Sequence, residues 1–315
     1  MIIELTDVNG EIYCADNVTQ FNFTQSADAA CDSFWACYRS DDAGYEIKAV
    51  RVYKNGRLIF NGLCDEQRMS ESEKGFEIYF YARSTACVLV DNEAKPFTYI
   101  CPTAKQIYFC VAEKYGFTCS LPELSINGKY EVARGTSCYG ALSRFVNLLI
   151  GEKIIITPEN DIRLMKRSGD IKNLNKYRVL SAAQTIKRSA PYSQIIFKRN
   201  ASEPEYSVHT KALLSDELGI CRSAYINLSS LAQWQRESTV LRRLKASYDD
   251  YLTMEVRVCG YVGEELMQRF SYRSERCAYD DYVLIEKKYI CSENGESTRL
   301  VLRKNKELEE ITYVD

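Results

Sequence analysis

Residue types that could carry out catalysis are scarce in this chain. A single histidine, His209, occurs among 315 residues. This excludes a site built from several histidines and leaves a Cys-His pair as the histidine-dependent option. The patterns GxxxxGK[ST] for phosphate, HExxH for zinc and GxSxG for a nucleophilic serine are absent. We interpret His209 as a solvated strand residue and expect no catalytic residue, no cofactor and no metal, hence no enzyme.

Adjacent aspartates are the next candidates, because two carboxylates can cleave a glycosidic bond. Such pairs occur at residues 41–42, 249–250 and 280–281. Neighbouring residues of a strand point to opposite faces, and each pair lies near a turn signal. We therefore interpret all three pairs as solvated turn residues.

Thirteen cysteines are scattered through the chain without any CxxC spacing. That spacing marks zinc ribbons and redox motifs, so neither is indicated. In a reducing compartment a free cysteine behaves as a small apolar side chain. We expect reduced thiols that are mostly buried in the assembled protein.

A basic helix is one of two charge patterns that point to contact with other molecules. A helix predicted at about 229–248 has an apolar face and, opposite it, several basic residues. Either this is an ordinary solvated face or it binds a partner. In the second case, the candidate interface residues are Trp234, Arg236, Arg242, Arg243 and Lys245.

The second charge pattern is an acidic N-terminal segment. The first 38 residues contain six acidic and no basic side chains. If the chain lines a channel, Asp7, Glu11 and Asp16 are candidate lumen-facing residues that repel the phosphates of passing DNA. In the competing interpretation, the same carboxylates form salt bridges with a partner protein.

Strands are the main elements available to position these residues. Residues 46–82 alternate in hydrophobicity, and Asn55-Gly56 predicts a two-residue hairpin turn. A polar turn is predicted at 69–75. After Lys176 strand signals return, and they end in a hairpin around Glu293-Asn294-Gly295.

Between these β-rich parts, the composition becomes helical. Apolar residues at helical spacing predict one helix after Thr103, ending at Gly116, and a second helix after Thr136 or Ser137, ending at Gly151. A strand hairpin is predicted to follow, with its turn at 158–161.

Composition excludes several classes of protein. The chain has 41 basic and 43 acidic residues, a net charge of -2, and 46% hydrophobic residues. These values exclude wholesale disorder and a general affinity for nucleic acid. No apolar run reaches the 18 residues of a membrane span, and the acidic N-terminus is unlike a secretory signal. We expect no membrane association and no export by a signal peptide.

In order along the chain, these segments resemble the hub proteins of phage-type contractile tails. Residues 51–92 contain a G-x-x-x-F-x-G-x-x-D hairpin, an alternating strand that ends in Arg-Ser, and an apolar L-V-D. The residues at these positions are Gly56, Phe60, Gly62, Asp65, Arg83, Ser84, Leu89, Val90 and Asp91. Residues 103–117 resemble the helix of the family, 130–166 its small domain and 281–304 its closing hairpin. The order of the segments carries the resemblance.

The resemblance implies a β-rich α+β fold with two barrel-like antiparallel β modules and a small α+β, LysM-like module between them. The expected modules are 1–88, 89–170 and 171–315. The implied function is that of a structural tail-tip or baseplate hub subunit: a homotrimeric ring that adapts a hexameric tail tube to a trimeric central spike. Implied partners are further copies of the chain, the tail tube protein, the spike protein and baseplate proteins, with DNA or cargo only in transit.

The same resemblance places assembly in the cytoplasm of the producing bacterium, and the finished protein in a tail particle. It leaves open whether that particle is a phage virion, a tail-like bacteriocin or another injection system. An alternative function is a tail-associated peptidoglycan-binding protein or hydrolase. It rests on residues 130–146, which resemble the first half of a LysM repeat, and on the aspartate pairs.

Overall fold

The computed structural model describes residues 1–41, 45–73, 75–198, 202, 206, 208–212, 218–229, 233–275, 277–305 and 311–314. Its helices are α1 (Cys87–Asp91), α2 (Ala104–Val111), α3 (Cys138–Ile150) and α4 (Gln233–Tyr248). Its N-terminal strands are β1 (Ile2–Asp7), β2 (Ile12–Cys14), β3 (Val18–Ser26), β4 (Ser33–Ser40), β5 (Ile47–Lys54), β6 (Arg57–Ser72) and β7 (Gly75–Ser84).

The remaining strands lie in the middle and C-terminal parts of the chain. The middle ones are β8 (Phe97–Ile100), β9 (Thr118–Cys119), β10 (Lys129–Val132), β11 (Ile154–Ile156) and β12 (Asp161–Leu164). The C-terminal ones are β13 (Ile171–Asn173), β14 (Val179–Ile186), β15 (Gln194–Lys198), β16 (Val208–Ala212), β17 (Ser223–Asn227), β18 (Leu252–Cys259), β19 (Arg269–Arg273), β20 (Ala278–Ser292), β21 (Gly295–Lys304) and β22 (Ile311–Val314).

Most of these strands belong to one sheet of thirteen. Its main path runs β14-β18-β21-β20-β3-β4-β7-β6-β5-β1-β2, and β19 and β13 branch from β20. The first and last thirds of the chain meet where β3 pairs with β20, from Glu286 opposite Ser26 to Cys291 opposite Phe21. The predicted β-rich α+β class is confirmed. The module bounds 1–88, 89–170 and 171–315 stay predictions.

The N-terminal strands enclose an aromatic core. Alternation places Phe34, Ala36 and Tyr38 of β4 and Ile78 and Phe80 of β7 on the inner face, all at most 1% exposed. The rings of Phe34 and Phe80 lie 5.9 Å apart. A second apolar cluster, formed largely by β18, β20 and β21, fills the C-terminal part of the sheet.

Of two hairpin turns predicted from the local sequence of the N-terminal part, one is confirmed and the other is shorter than predicted. Asn55 and Gly56 have φ of 53° and 77°, so the predicted two-residue turn is confirmed. The polar turn predicted at 69–75 is wrong in length, because β6 continues to Ser72 and pairs with Gly75. A polar side chain can point into water while its backbone stays hydrogen-bonded to the neighbouring strand. The polar composition of these residues therefore predicted a turn that is too long.

The middle part is a compact α+β unit with both predicted caps in place. The hydroxyl of Thr103 accepts a hydrogen bond from the Gln106 amide, and the Gln106 side chain accepts one from the Thr103 amide, which forms a capping box. Ser137, rather than Thr136, caps α3, and Gly151 ends it with φ of 73°. β11 and β12 form the predicted hairpin.

The C-terminal part also holds a four-stranded sheet in the order β17-β15-β16-β22, against which α4 packs. The described part of this helix is Gln233–Tyr248, and its predicted start near residue 229 cannot be compared because residues 230–232 lie outside the described ones. Among the helices described, none is long and apolar enough to cross a membrane.

Candidate interaction surfaces

Three of the residues that carry the sequence resemblance, Asp65, Arg83 and Asp91, form one connected network in the structure. Arg83, at the end of β7, donates from Nε to Asp65 Oδ2 at 2.5 Å and from its terminal nitrogens to both oxygens of Asp91 at 2.7 and 3.0 Å. These hydrogen bonds raise the pKa of Arg83 and lower that of Asp91. Asp91 ends α1, so this network connects the N-terminal sheet to the start of the middle unit.

Glycine is required at the second glycine position of the same motif. A Cβ built on Gly62 would lie 2.3 Å from the carbonyl oxygen of Arg83 and 2.6 Å from the ring of Phe60. Phe60 is 1% exposed and packs in the aromatic core. Two strands therefore approach each other closely at Gly62, over the buried ring of Phe60, and the role of this part of the motif is structural.

Glu265 joins all three parts of the chain. Its Oε1 accepts a hydrogen bond from Arg57 of the N-terminal sheet at 2.6 Å, and its Oε2 accepts one from Arg163 of β12 at 2.7 Å. Burial raises the pKa of Glu265, but these two arginines outweigh it, so the pKa is lowered. The residue therefore fixes the middle unit against both β-rich parts.

Next to it, Glu264 and Lys287 form a buried polar cluster. Glu264 accepts hydrogen bonds from Lys176 and from the hydroxyl of Tyr177. Lys287 is 2% exposed and donates from Nζ to the carbonyl oxygens of Glu264 at 3.0 Å and Val262 at 3.4 Å. Burial lowers the pKa of Lys287 to about 8. The cluster holds the 262–265 loop against strand β20.

A second junction lies around Asp28. Lys153 of the middle unit donates to its Oδ1 at 2.5 Å, and Arg303 of β21 donates to its Oδ2 at 2.7 Å. Arg303 also contacts Asp250 at 3.2 Å and Asp249 at 4.0 Å. Two sets of ion pairs, centred on Asp28 and on Glu265, therefore each connect the same three parts of the chain.

The aspartate pairs agree in part with the predicted solvated turns. The 249–250 pair lies in an exposed turn, as predicted, and it also contacts Arg303 of the Asp28 junction, where burial raises the pKa of Asp249. Asp281 lies in β20, not in a turn, and both its oxygens accept hydrogen bonds from Arg269 at 2.6 and 2.8 Å. Asp42 lies outside the described residues. Of the pairs described, 249–250 is therefore an exposed turn with ion pairs, whereas 280–281 lies in a strand.

The three acidic N-terminal candidates differ in exposure. Asp7 is 2% exposed, and its Oδ1 accepts hydrogen bonds from the amides of Asn9 at 2.9 Å and Glu11 at 2.8 Å. Its carboxylate therefore closes the turn between β1 and β2 and does not lie on the surface of the chain. Glu11 and Asp16 are exposed on either side of β2.

The basic candidates on α4 also divide into two kinds. Arg242 donates to the carbonyl oxygen of Asn147 at 2.5 Å and to its side-chain oxygen at 2.7 Å, so it binds the C-terminal end of α3. Arg243 and Lys245 are exposed, and Arg236 is half-buried. The side chain of Trp234 lies outside the described residues. The structure thus assigns Arg242 to an internal contact.

The described part of the chain shows no cluster of side chains that would form a metal-binding or catalytic site. Among the residues described, no three His, Cys, Asp or Glu side chains lie together as a metal site would require. His209 lies in β16, as predicted for a strand residue, and its side chain is outside the described ones.

All thirteen cysteines are free; Cys87 and Cys138 are buried and five others are exposed. A cavity of about 310 Å³ beside residues 263–268 is lined by ion-paired Arg57 and Lys172.

Sequence reasoning missed Lys287, Glu264 and Glu265. A signal for Lys287 was present, because it alternates with Ile285 and Tyr289 on the inner face of β20. The two glutamates gave no comparable signal, since their partners lie far away along the chain.

Comparison with solved structures gives the class of fold. The 43 kDa tail protein of prophage MuSo2 from Shewanella oneidensis has 15% identity to this chain and a TM-score of 0.78, with 96% of this chain and 98% of that chain covered. The tail protein of Neisseria meningitidis MC58 has the same identity and TM-score, with 96% of each chain covered. The chain therefore has the fold of phage tail proteins, which confirms the resemblance at the level of fold.

A more distant likeness extends beyond phages. The c3393 protein of E. coli, a component of the type VI secretion system described as structurally similar to the T4 tail proteins gp27 and gp5, has 7% identity and a TM-score of 0.60. That comparison covers 93% of this chain and 74% of that chain. No family profile matches the sequence, and a search of curated proteins finds no match.

Proposed function

We propose that this protein is a structural subunit of a tail tip or baseplate hub. In this role three copies form a ring that connects a hexameric tail tube to a trimeric central spike. The observation that carries the proposal is the pairing of β3 with β20, which sets two β-rich parts of one chain side by side in a single sheet. Three such chains supply six β-rich parts, the number that a sixfold tube requires, while keeping the threefold symmetry of a spike.

The internal ion pairs support this role. The junctions at Asp28 and Glu265 each connect all three parts of the chain and so oppose relative motion of those parts. A ring subunit that joins two different symmetries benefits from such stiffness. In the proposed particle its partners are other copies of the chain, the tube, the spike and baseplate proteins. DNA or cargo only passes through, and assembly occurs in the cytoplasm before the chain becomes part of the particle.

The proposal includes a non-enzymatic role. The motif residues Asp65, Arg83 and Asp91 are occupied in ion pairs that hold the fold, and Gly62 serves close packing. The alternative, a cell-wall binding protein or hydrolase, predicts that the purified chain co-sediments with peptidoglycan and clears a cell-wall suspension. The structural proposal expects neither.

The direct test is the mass of the complex that the chain forms with its spike protein. We expect light scattering on the purified mixture to give three copies of each chain. A stable complex of one copy of each would contradict the proposal. Clearing of a peptidoglycan suspension by the purified chain would favour the alternative.

A further inference from the structure

The main path of the thirteen-stranded sheet ends in two strands that pair on one side only among the described residues. β14 pairs with β18, and β2 pairs with β1. Seven of the eight residues of β14 are exposed, with Leu180 at 51% and Ile186 at 56%. At the other end of the sheet, Ile12 of β2 is 64% exposed. Both ends thus present backbone groups and apolar side chains to the surroundings.

β14 lacks the features that normally protect a free edge. Edge strands of soluble proteins carry charged residues, prolines or bulges that discourage pairing with another chain. Residues 179–186 read VLSAAQTI and contain neither a charge nor a proline. One register shift occurs, between Val179 and Ser181, which leaves the six residues after it regular. An edge of this length and composition is typical of a strand that pairs with a strand of another chain.

Charges beside the two edges are opposite in sign. Arg178 precedes β14 and Lys187 follows it, and both are exposed. Glu11 precedes β2 and Asp16 lies two residues after it, and both are also exposed. No basic residue occurs before Arg39, so the acidic residues that flank β2 have no basic neighbour within the first 38 residues. The basic-flanked edge of one molecule is therefore complementary to the acidic-flanked edge of another.

We propose that β14 of one copy docks beside β2 of the next copy, where the basic residues that flank β14 attract the acidic residues that flank β2. The contact is head-to-tail, since it joins different surfaces of identical chains, and contacts of this kind form a ring when the rotation between copies closes. This inference rests on the proposed trimer and names the surface that holds it together. It assigns Glu11 and Asp16 to the subunit interface instead of the channel.

Charge exchange tests the assignment. The variants are Arg178→Glu with Lys187→Glu, Glu11→Lys with Asp16→Lys, and all four changes together. Lys95→Glu with Lys129→Glu, at exposed positions of the middle unit, is the matched control. Association is measured by light scattering with the spike protein present, and far-UV circular dichroism verifies the fold of each variant. We expect each two-residue exchange to weaken assembly by roughly tenfold or more and the four-residue exchange to restore it.

The outcomes separate this inference from the proposed function. If the unaltered chain is trimeric and every exchange variant is equally trimeric, the edge assignment is wrong while the hub proposal stands. If the two-residue variants are folded monomers and the four-residue variant stays monomeric, the pairing of these charges is wrong. If the unaltered chain forms no trimer, the proposed function itself fails. Particles that assemble normally with Glu11→Lys and Asp16→Lys but deliver cargo poorly would place these carboxylates in the channel.

A crosslink gives a second readout that does not depend on affinity. Cys14 is a natural exposed thiol on β2, and Ala183 is an exposed residue near the centre of β14. A short bismaleimide should join Cys14 of one copy to Ala183→Cys of the next and give covalent dimers and trimers. We expect the crosslink to disappear when Cys14→Ser is added. With the other exposed cysteines, Cys101, Cys110, Cys221 and Cys259, replaced by serine, absence of a crosslink between Cys14 and Ala183→Cys in the assembled trimer would contradict the assignment of β2.

Discussion

Removal of the buried ammonium group of Lys287 should change how stability depends on pH. Burial lowers its pKa from the ordinary 10.5 to about 8, so keeping it charged in the folded protein costs about 3 kcal/mol. Between these two pH values, the unfolded chain binds more protons than the folded chain. The free energy of unfolding therefore rises with pH through this window.

Lys287→Met keeps the length of the side chain and removes the titrating group. The free energy of unfolding of the natural protein, relative to this variant, should increase by about 2–3 kcal/mol from pH 7 to pH 10. Below pH 8 the variant avoids the cost of burying a charge but leaves the carbonyl groups of Val262 and Glu264 without their donor. These two effects oppose each other, so the pH dependence is a clearer readout than stability at one pH.

Urea denaturation of both proteins at several pH values measures this difference, and the titrating groups that do not interact with Lys287 cancel because both proteins contain them. Lys288→Met is the control, since the neighbouring side chain points to the opposite face of β20 and is 32% exposed. Its stability profile should stay parallel to that of the natural protein. Parallel profiles for Lys287→Met as well would refute the argument that burial perturbs this ammonium.

Three further predictions concern the fold. Gly62→Ala should destabilise the protein by more than about 2 kcal/mol, because its Cβ would meet the Arg83 carbonyl oxygen at 2.3 Å; urea denaturation measures this, and an unchanged midpoint would contradict it. Thr103→Ala removes the capping box of α2 and should cost about 1 kcal/mol, whereas Thr103→Ser should keep most of it. In native thiol labelling followed by mass spectrometry, Cys87 and Cys138 should react far more slowly than exposed Cys14; equal rates would contradict their burial.

Local features of the fold could be predicted from the sequence because their causes are local. The Asn55-Gly56 turn needs two residues with positive φ, and the caps at Thr103 and Ser137 need one hydroxyl before an apolar stripe. These signals lie within a few neighbouring residues. The order of such elements was sufficient to indicate the β-rich class and the likeness to tail proteins.

Contacts between distant parts of the chain could not be predicted in the same way. Arg57 and Glu265 are 208 positions apart, and nothing near either residue specifies the other. Strand β4 was not predicted, although SFWACYRS alternates in hydrophobicity. Asp7 was expected on a surface because its charge suggested it, but the hydrogen bonds of a tight turn account for its burial.

The central claim is that three copies of this chain form a ring between tube and spike, and imaging of the intact particle tests it most directly. Cryo-electron microscopy of purified tails should show three copies on the axis, with six β-rich parts facing the tube and threefold symmetry towards the spike. It should also show β14 of each copy beside β2 of its neighbour. Six copies in the ring, or a position of the chain away from the axis, would contradict the account.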